Sequence, residues 1–154
     1  MNQPFLSHSA PGSKVRPAQQ GDCFEIAELA KQLGYQCTSE EVAERLKDMQ
    51  LLNQYGVFVF ELPEGQIAGW IGVYLFRSVE TGTWAEINGL IVDDRMRCRG
   101  IGKALLNAAE IWARSVGCQT ISVRSNITRD RAHRFYEDKG YAHIKTQKEF
   151  HKDL

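Results

Sequence analysis

The sequence predicts an α/β sandwich built on a mixed sheet with at least one parallel crossover. Three observations carry that reading. Apolar residues first recur at helical spacing; the period then changes at Val57 to strand-like runs; and after Trp84 strand and helix patterns alternate. The chain has no internal repeat and no low-complexity linker, so one domain is the simplest parse.

Val15-Arg16-Pro17 opens a short strand. Asp22 caps a first helix in which Ile26, Ala27, Leu29, Ala30 and Leu33 form the apolar stripe, and Gly34 ends it. Thr38-Ser39-Glu40-Glu41 starts a second helix. Either hydroxyl accepts from exposed first-turn amides, the glutamates suit the positive end, and Val42, Leu46, Met49 and Leu52 form the buried stripe. Runs at 57–60 and 67–76 are strand-like and are joined by Pro63-Glu64-Gly65 as a hairpin. A looser loop around Thr81-Gly82 leads to a strand from Trp84 to Val92. The charged turn 93–100 then runs directly into a helix whose core face is Ile101, Leu105, Ala108, Ala109, Trp112 and Val116. Gly117 stops that helix, Thr120 to Val123 makes another strand, and Thr128 to Lys139 makes a last helix closed by Gly140. Tyr141 to Leu154 reads as a weaker strand-like tail.

The chain has 154 residues, with 19 Lys and Arg against 19 Asp and Glu, so its formal charge is zero. That balance argues against a partner held by phosphate contacts over a basic surface, whether nucleic acid or an anionic membrane, unless the charges are segregated. No apolar run approaches the ~20 residues that span a bilayer. Residues 1–14 have neither a charged n-region nor a long apolar stretch and are expected to form a flexible tail, with the domain spanning 15–154. Cys23, Cys37, Cys98 and Cys118 form no C-x-x-C pair, and His8, His133, His143 and His151 form no i, i+4 pair. Reduced thiols in a cytoplasmic protein without a metal site are therefore expected.

The strand-turn-helix between Ile91 and Leu106 carries the sharpest chemical signal. Arg97-x-x-Gly100-x-Gly102 puts two glycines where the chain enters a helix, so backbone N–H groups face outward with no Cβ in the way. Four basic residues and no acid lie between Arg95 and Lys103, giving a local anion site inside a neutral chain. A P-loop does not fit, because Gly102-Lys103 is followed by Ala104; the dinucleotide fingerprint does not fit, because Leu105 stands at its third glycine. A solvated basic turn at a glycine-containing helix entry stands as the bland alternative.

The surrounding residues resolve the choice through a resemblance. Ile87-Asn88-Gly89-Leu90-Ile91-Val92-Asp93, the loop Arg97-x-x-Gly100-x-Gly102 and the segment Ala132-His133-Arg134-Phe135-Tyr136-Glu137-Asp138-Lys139-Gly140-Tyr141 occur in that order. Together they resemble the GNAT superfamily of acetyl-CoA-dependent N-acetyltransferases over roughly residues 15 to 154. The resemblance implies a single-domain GNAT fold: a mixed, mostly antiparallel sheet flanked by about four helices, with a splayed strand pair forming the CoA cleft. It implies that Leu90, Ile91 and Val92 offer backbone groups to pantetheine. It also implies that Arg97, Cys98, Arg99, Gly100, Ile101, Gly102 and Lys103 hold the pyrophosphate. Asn126 stands where many members carry a cofactor-touching Asn, and it equally suits a cap on the turn into the last helix.

Acetyl transfer to an amine needs a base to deprotonate the ammonium and a donor for the departing thiolate. Tyr136 matches the family's tyrosine near the sulfur and is the candidate acid; the alternative is an aromatic packed beside Phe135. Glu86, fourteen residues before Gly100, resembles the catalytic glutamate of the histone-acetylating branch and is the candidate base. Its alternatives are a strand carboxylate facing solvent or pairing with an Arg, or an ordered water chain in its place. Strand alternation is expected to put Glu86, Asn88, Leu90 and Val92 on one face. No Cys has a His partner in a nucleophile pattern, so direct attack is favoured over a covalent intermediate. The reading is thus an N-acetyltransferase moving acetyl from acetyl-CoA, without a metal, to a primary amine of a small molecule or peptide. A homodimer is kept open. The rival is a non-catalytic acyl-CoA-binding module of the same fold.

Overall fold

The computed structural model describes residues 11–154; Met1 to Ala10, which hold most of the expected tail, lie outside the described residues. The chain divides into two compact units at Val123/Arg124. The first holds, in order, β1 (Lys14–Pro17), α1 (Cys23–Gln32), α2 (Ser39–Leu51), β2 (Tyr55–Glu61), β3 (Ile67–Ser78), β4 (Gly82–Val92), α3 (Ile101–Ser115) and β5 (Ile121–Val123). The second holds α4 (Asp130–Asp138). The five strands lie in sequence order in one sheet. β1–β2, β2–β3 and β3–β4 are antiparallel, and β4–β5, joined through α3, is the parallel pair that the alternation predicts.

Local chemistry explains the element starts. Thr38 caps α2 with a reciprocal box: its Oγ1 accepts from the Glu41 amide at 3.2 Å, and Glu41 Oε2 accepts from the Thr38 amide at 2.9 Å. Asp22 stands at the start of α1 as expected, but its side chain makes no cap bond there. Its buried carboxylate instead accepts from Arg16 Nη1 at 2.7 Å, Arg16 Nη2 at 2.9 Å and the Gln19 amide at 2.7 Å. A forked guanidinium is a stronger partner than a helix amide. Arg16 also donates to Glu61 at 2.6 Å, so one cation ties β1 to β2 and to the entry of α1.

Helices cover both faces of the sheet. Ile26 and Leu29 of α1 and Leu46 of α2 pack in one cluster with Val59, Ile67 and Ile91. α3 lies on the other face, where Leu105 closes on Gly69 and the Trp112 ring closes on Gly56. Leu105 and Ala109 are fully buried there. Gly69 and Gly56 are the positions at which a side chain would hold α3 away from the sheet.

β4 carries one irregularity. Val73 pairs with Ile87 and Gly72 with Gly89, so Asn88 is an extra residue in the strand. The Asn88 Oδ1 lies where a Gly72 Cβ would be, and the Trp70 ring lies where a Gly89 Cβ would be. Asn88 and Gly89 therefore share a face, and the alternation of β4 slips by one residue at this bulge.

In the second unit, Arg129 leads into α4, and Tyr141 closes its end by donating its amide to the Tyr136 carbonyl at 3.0 Å. The expected strand from Tyr141 to Leu154 is not formed. Past Ala142 its apolar residues, Ile144, Phe150 and Leu154, would share a face, but Thr146, Lys148 and Lys152 interrupt it, so no continuous apolar face is available for a sheet to bury. No helix among the described residues is long and apolar enough to cross a membrane.

Candidate functional site

Two halves of β4 present different chemistry. β5 pairs with Ala85, Glu86 and Ile87, its partners being Ile121, Ser122 and Val123, and the ladder ends there. From Gly89 to Val92 β4 stays paired to β3, while its other edge has no strand beside it among the described residues. Leu90, Ile91 and Val92, which the resemblance assigns to pantetheine, lie on this stretch. Unpaired strand N–H and C=O groups are a template for an extended ligand.

The turn after β4 is ordered by its own acids. Asp93 Oδ1 accepts from the Arg95 amide at 3.0 Å, and its carboxylate grips the Arg95 guanidinium at 3.1 and 2.8 Å. Those bonds from Arg95 hold the buried Asp93 carboxyl below the usual range, against the cost of its burial. Arg97 forms an ion pair with Asp94. The Asp94 amide in turn donates to Gln32 Oε1 of α1 at 3.0 Å. The purely cationic run read from 95 to 103 is thus partly neutralised by the two acids just before it. An anion arriving here would meet the exposed Arg99 and Lys103 and the helix start itself.

At that start Cys98 and Gly100 adopt positive φ, 61° and 79°. A residue in the left-handed region turns successive amides to one side. Gly100 is the N-cap of α3, and its carbonyl accepts from the Ala104 amide at 3.0 Å. The amides of Ile101, Gly102 and Lys103 precede the first intrahelical bond, so they and the helix dipole face out of the helix end. A Cβ at Gly100 would meet nothing within 4 Å, so the space over this loop is open. The residues present fit a pyrophosphate.

Glu86 is 5% exposed, which removes the reading of a solvent-facing carboxylate. Its Oε1 accepts from the Tyr74 hydroxyl at 3.1 Å, and its Oε2 from Ser122 Oγ at a weaker 3.5 Å. The bulge corrects the expected face. Glu86 and Asn88 share one side with Gly89 and Ile91, whereas Leu90 and Val92, opposite Ile71 and Gly69, point toward α3. Glu86 thus lies on the side that α1 and α2 cover further along the sheet. The aromatic pairs Tyr55–Tyr74 and Phe76–Trp84, at 6.0 and 4.4 Å between centroids, flank it on that side.

In the second unit, Asn126 Oδ1 accepts from the Thr128 amide at 3.0 Å and from Thr128 Oγ1 at 2.8 Å, and the Asn126 carbonyl meets His133 Nε2 at 2.9 Å. The side-chain oxygen of Asn126 thus serves the turn into α4, the capping alternative. Tyr136 projects from α4 with its ring edge-on to Phe135 at 5.3 Å and tilted against Tyr141 at 5.6 Å. Desolvation, partly offset by Arg129, pushes its phenol up to about 12. Tyr136 therefore holds its proton throughout the neutral range.

Sequence reasoning missed the hold on Glu86. Tyr74 read as a lining or core aromatic, and Ser122 only as a place where a fifth-strand glutamate is lacking. The signal was available in the cross-strand register, which pairs Tyr74, Glu86 and Ser122 in one row. The bulge has its own sequence trace in Asn88-Gly89, a turn-type pair inside a strand.

Comparison with known proteins accords with this geometry. Residues 22–141 match the family model described as the acetyltransferase (GNAT) family. An aminoalkylphosphonate N-acetyltransferase from Salmonella typhimurium is 34% identical over 118 residues, covering 75% of this chain and 73% of that protein. An aminoglycoside N(6′)-acetyltransferase type 1 from Stenotrophomonas maltophilia is 26% identical over 137 residues, covering 86% of this chain and 87% of that protein. Among solved structures, glucosamine-6-phosphate N-acetyltransferase from Arabidopsis thaliana superposes with a TM-score of 0.78 at 23% identity, covering 92% of this chain and 99% of the other, a likeness of fold.

Proposed function

The chain belongs to the GNAT acetyltransferase family, and from that premise we propose that it transfers the acetyl group of acetyl-CoA to a primary amine of a small molecule or peptide by direct attack. The observation that carries the proposal is the division of β4: a buried carboxylate held by two hydroxyls on its paired half, and an open backbone edge on the other half leading into a glycine-bounded helix start. Relatives named for aminoalkylphosphonate and aminoglycoside acetylation support an amine acceptor.

In this reading the open edge at Leu90, Ile91 and Val92 pairs with pantetheine, and the amides from Cys98 to Lys103, with Arg99 and Lys103, take the pyrophosphate. Arg97 steadies the loop through Asp94. Asn126 is assigned to the cofactor as the resemblance implies. Glu86 removes a proton from the acceptor ammonium, whose pKa near 10.4 leaves it protonated on arrival. The nitrogen then attacks the thioester carbon, the N–C bond forms, and the C–S bond breaks. Tyr136 gives its phenolic proton to the leaving sulfur, the acylated nitrogen gives its second proton to the resulting phenolate, and Glu86 returns the first to solvent.

Release of CoA thiol, measured against spermidine, kanamycin, 2-aminoethylphosphonate and L-lysine, tests the reading. Thiol release with at least one acceptor is expected; tight acetyl-CoA binding with no release from any of them would favour the binding module. Glu86→Gln is expected to lower kcat by about 10²-fold or more and to abolish the acid-side limb of the pH–rate profile. A variant that keeps that limb removes Glu86 from the role of base.

A further inference from the structure

The structure assigns Tyr74 as the positioning residue of the proposed base: its hydroxyl fixes the Glu86 carboxylate in the one orientation that can receive the acceptor's proton. This inference rests on the reading of Glu86 as base and adds to it a residue that neither the family motifs nor the sequence pattern picked out.

The register supplies the argument. Tyr55 pairs with Tyr74, Tyr74 with Glu86, and Glu86 with Ser122, so these four residues form a single row across β2, β3, β4 and β5 on one face. A glutamate side chain has three rotatable bonds, and burial alone does not choose among its rotamers. The row does choose. Oε1 is held at 3.1 Å by Tyr74, and Oε2 is approached at 3.5 Å by Ser122 from the opposite side. The two fasteners are unequal. A serine hydroxyl swings about a single bond and sits at the outer limit of a hydrogen bond, whereas a tyrosine hydroxyl is carried by a rigid ring. That ring is braced in turn by Tyr55, stacked at 6.0 Å with 25° between the planes. Tyr74 thereby converts the stiffness of the β2–β3 pair into a fixed direction for a carboxylate on β4. A carboxylate oxygen that accepts one hydroxyl hydrogen has a second lone pair, so the clamp orients the base without consuming it. Placement of this kind is worth a great deal in a proton transfer, since small displacements of a catalytic group forfeit much of its effect.

The test is a double-mutant cycle of Tyr74→Phe and Glu86→Gln, read by steady-state CoA release with whichever of spermidine, kanamycin, 2-aminoethylphosphonate and L-lysine turns over fastest. Tyr74→Phe keeps the ring and its stack. It is expected to lower kcat about tenfold, the worth of a hydrogen bond to a charged group, and to leave the KM for acetyl-CoA within about twofold. In the Glu86→Gln background the same change is expected to cost less than about twofold, because no base remains to be aimed. A merely structural tyrosine would lower activity equally in both backgrounds, and that result overturns the inference. Thermal melts and acetyl-CoA titration report whether Tyr74→Phe is folded. Should it not fold, Ser122→Ala carries the same cycle, with an expected loss of about twofold to threefold that vanishes beside Glu86→Gln; a loss that persists there overturns the clamp. Failure of the two readings is distinguishable. Wild-type turnover in Glu86→Gln, or no thiol release from any acceptor, removes the base and the positioning role with it. A crippled Glu86→Gln beside a fully active Tyr74→Phe overturns the positioning role alone.

Discussion

Gly69→Ala places a single methyl group at the seam between β3 and the open end of β4. A Cβ at this position would lie 2.6 Å from the Ile91 carbonyl oxygen, 3.1 Å from Leu105 Cδ1 and 3.3 Å from the Val92 Cα. Two of those three atoms are backbone, so no rotamer change relieves them. Either β4 moves away from β3 at Ile91 and Val92, or α3 lifts from the sheet at Leu105. Overpacking of this size costs about 1–3 kcal/mol. For a chain of this length that corresponds to a fall in Tm of about 2–12 °C. Gly72→Ala is the internal control. Its Cβ would lie closer still, 2.3 Å from Asn88 Oδ1, yet that atom is the end of an exposed side chain that can swing into solvent. The nearer clash should therefore be the cheaper one, below about 1 kcal/mol. Differential scanning calorimetry on the two variants, with acetyl-CoA titrated into each, reads both effects. Gly69→Ala is expected to lose affinity for acetyl-CoA as well as stability, since the residues it displaces are those of the open edge. Equal melting temperatures, or Gly72→Ala melting below Gly69→Ala, would refute the claim that backbone rigidity rather than distance sets the cost.

Three further changes probe other parts of the molecule. Desolvation raises the Asp22 carboxyl, but the bonds from Arg16 and the Gln19 amide outweigh it and leave it below its ordinary value near 3.8. Its contribution to stability is therefore present above that pH and is lost as the pH falls further; urea melts of Asp22→Asn should show about 1–3 kcal/mol less stability at pH 7 and a flatter dependence below pH 4. The Tyr136 phenol, pushed up to about 12 from an ordinary 10.0 by desolvation, stabilises the folded state below pH 10 and ceases to as the pH rises through 12. Tyr136→Phe should accordingly resist alkaline unfolding better over that interval while losing about 10²-fold in kcat at unchanged acetyl-CoA affinity, and undiminished turnover would end its assignment as acid. Gly100→Ala asks an L residue to hold a φ of 79° at the start of α3, at a cost of about 1–2 kcal/mol, and calorimetric titration should show weaker acetyl-CoA binding as the loop relaxes.

Much of this fold is legible in the sequence because single residues punctuate it. Gly34, Gly117 and Gly140 follow the ends of α1, α3 and α4 and take positive φ there, and the Thr38–Glu41 box starts α2 one residue after its cap. The open edge and the helix start are legible for a different reason: both are backbone features, and a strand running through Arg97-x-x-Gly100-x-Gly102 into a helix specifies them locally. Partners of side chains are less legible. Arg95 and Arg97 read as free cations in a basic run because the acids that take them, Asp93 and Asp94, lie just outside it. Asp22 read as a helix cap because its true partner, Arg16, belongs to another element. Tyr74 and Ser122 come to Glu86 from positions 12 and 36 residues away in the chain, and only the strand register brings them together.

The bulge at Asn88 shows why register was the missing quantity. Simple alternation along β4 would put Glu86, Leu90 and Val92 on one face, so the carboxylate and the side chains of the cofactor edge would compete for the same space. One inserted residue reverses the second half of the strand. Upstream of it, Glu86 turns to the Tyr74 side and Ala85 and Ile87 to the α3 side. Downstream, Leu90 and Val92 point to the α3 side, half-buried, and leave their backbone at the open edge. The bulge also falls where pairing with β5 stops, immediately after Ile87. The half of β4 that is paired on both edges, and is therefore stiff, carries the side chain proposed to move a proton. The half that is paired on one edge carries the main-chain groups proposed to receive pantetheine. Deleting Asn88 should thus remove the bulge without moving either half of the strand, because Ile87 still stands opposite Val73 and Gly89 opposite Gly72, and thermal melts with acetyl-CoA titration should show a folded, cofactor-binding variant. Glu86 would keep the face of Gly89 and Ile91, and Leu90 and Val92 the side of α3, whereas one residue inserted after Asn88 would shift the second half of the strand and is expected to cost both stability and acetyl-CoA binding.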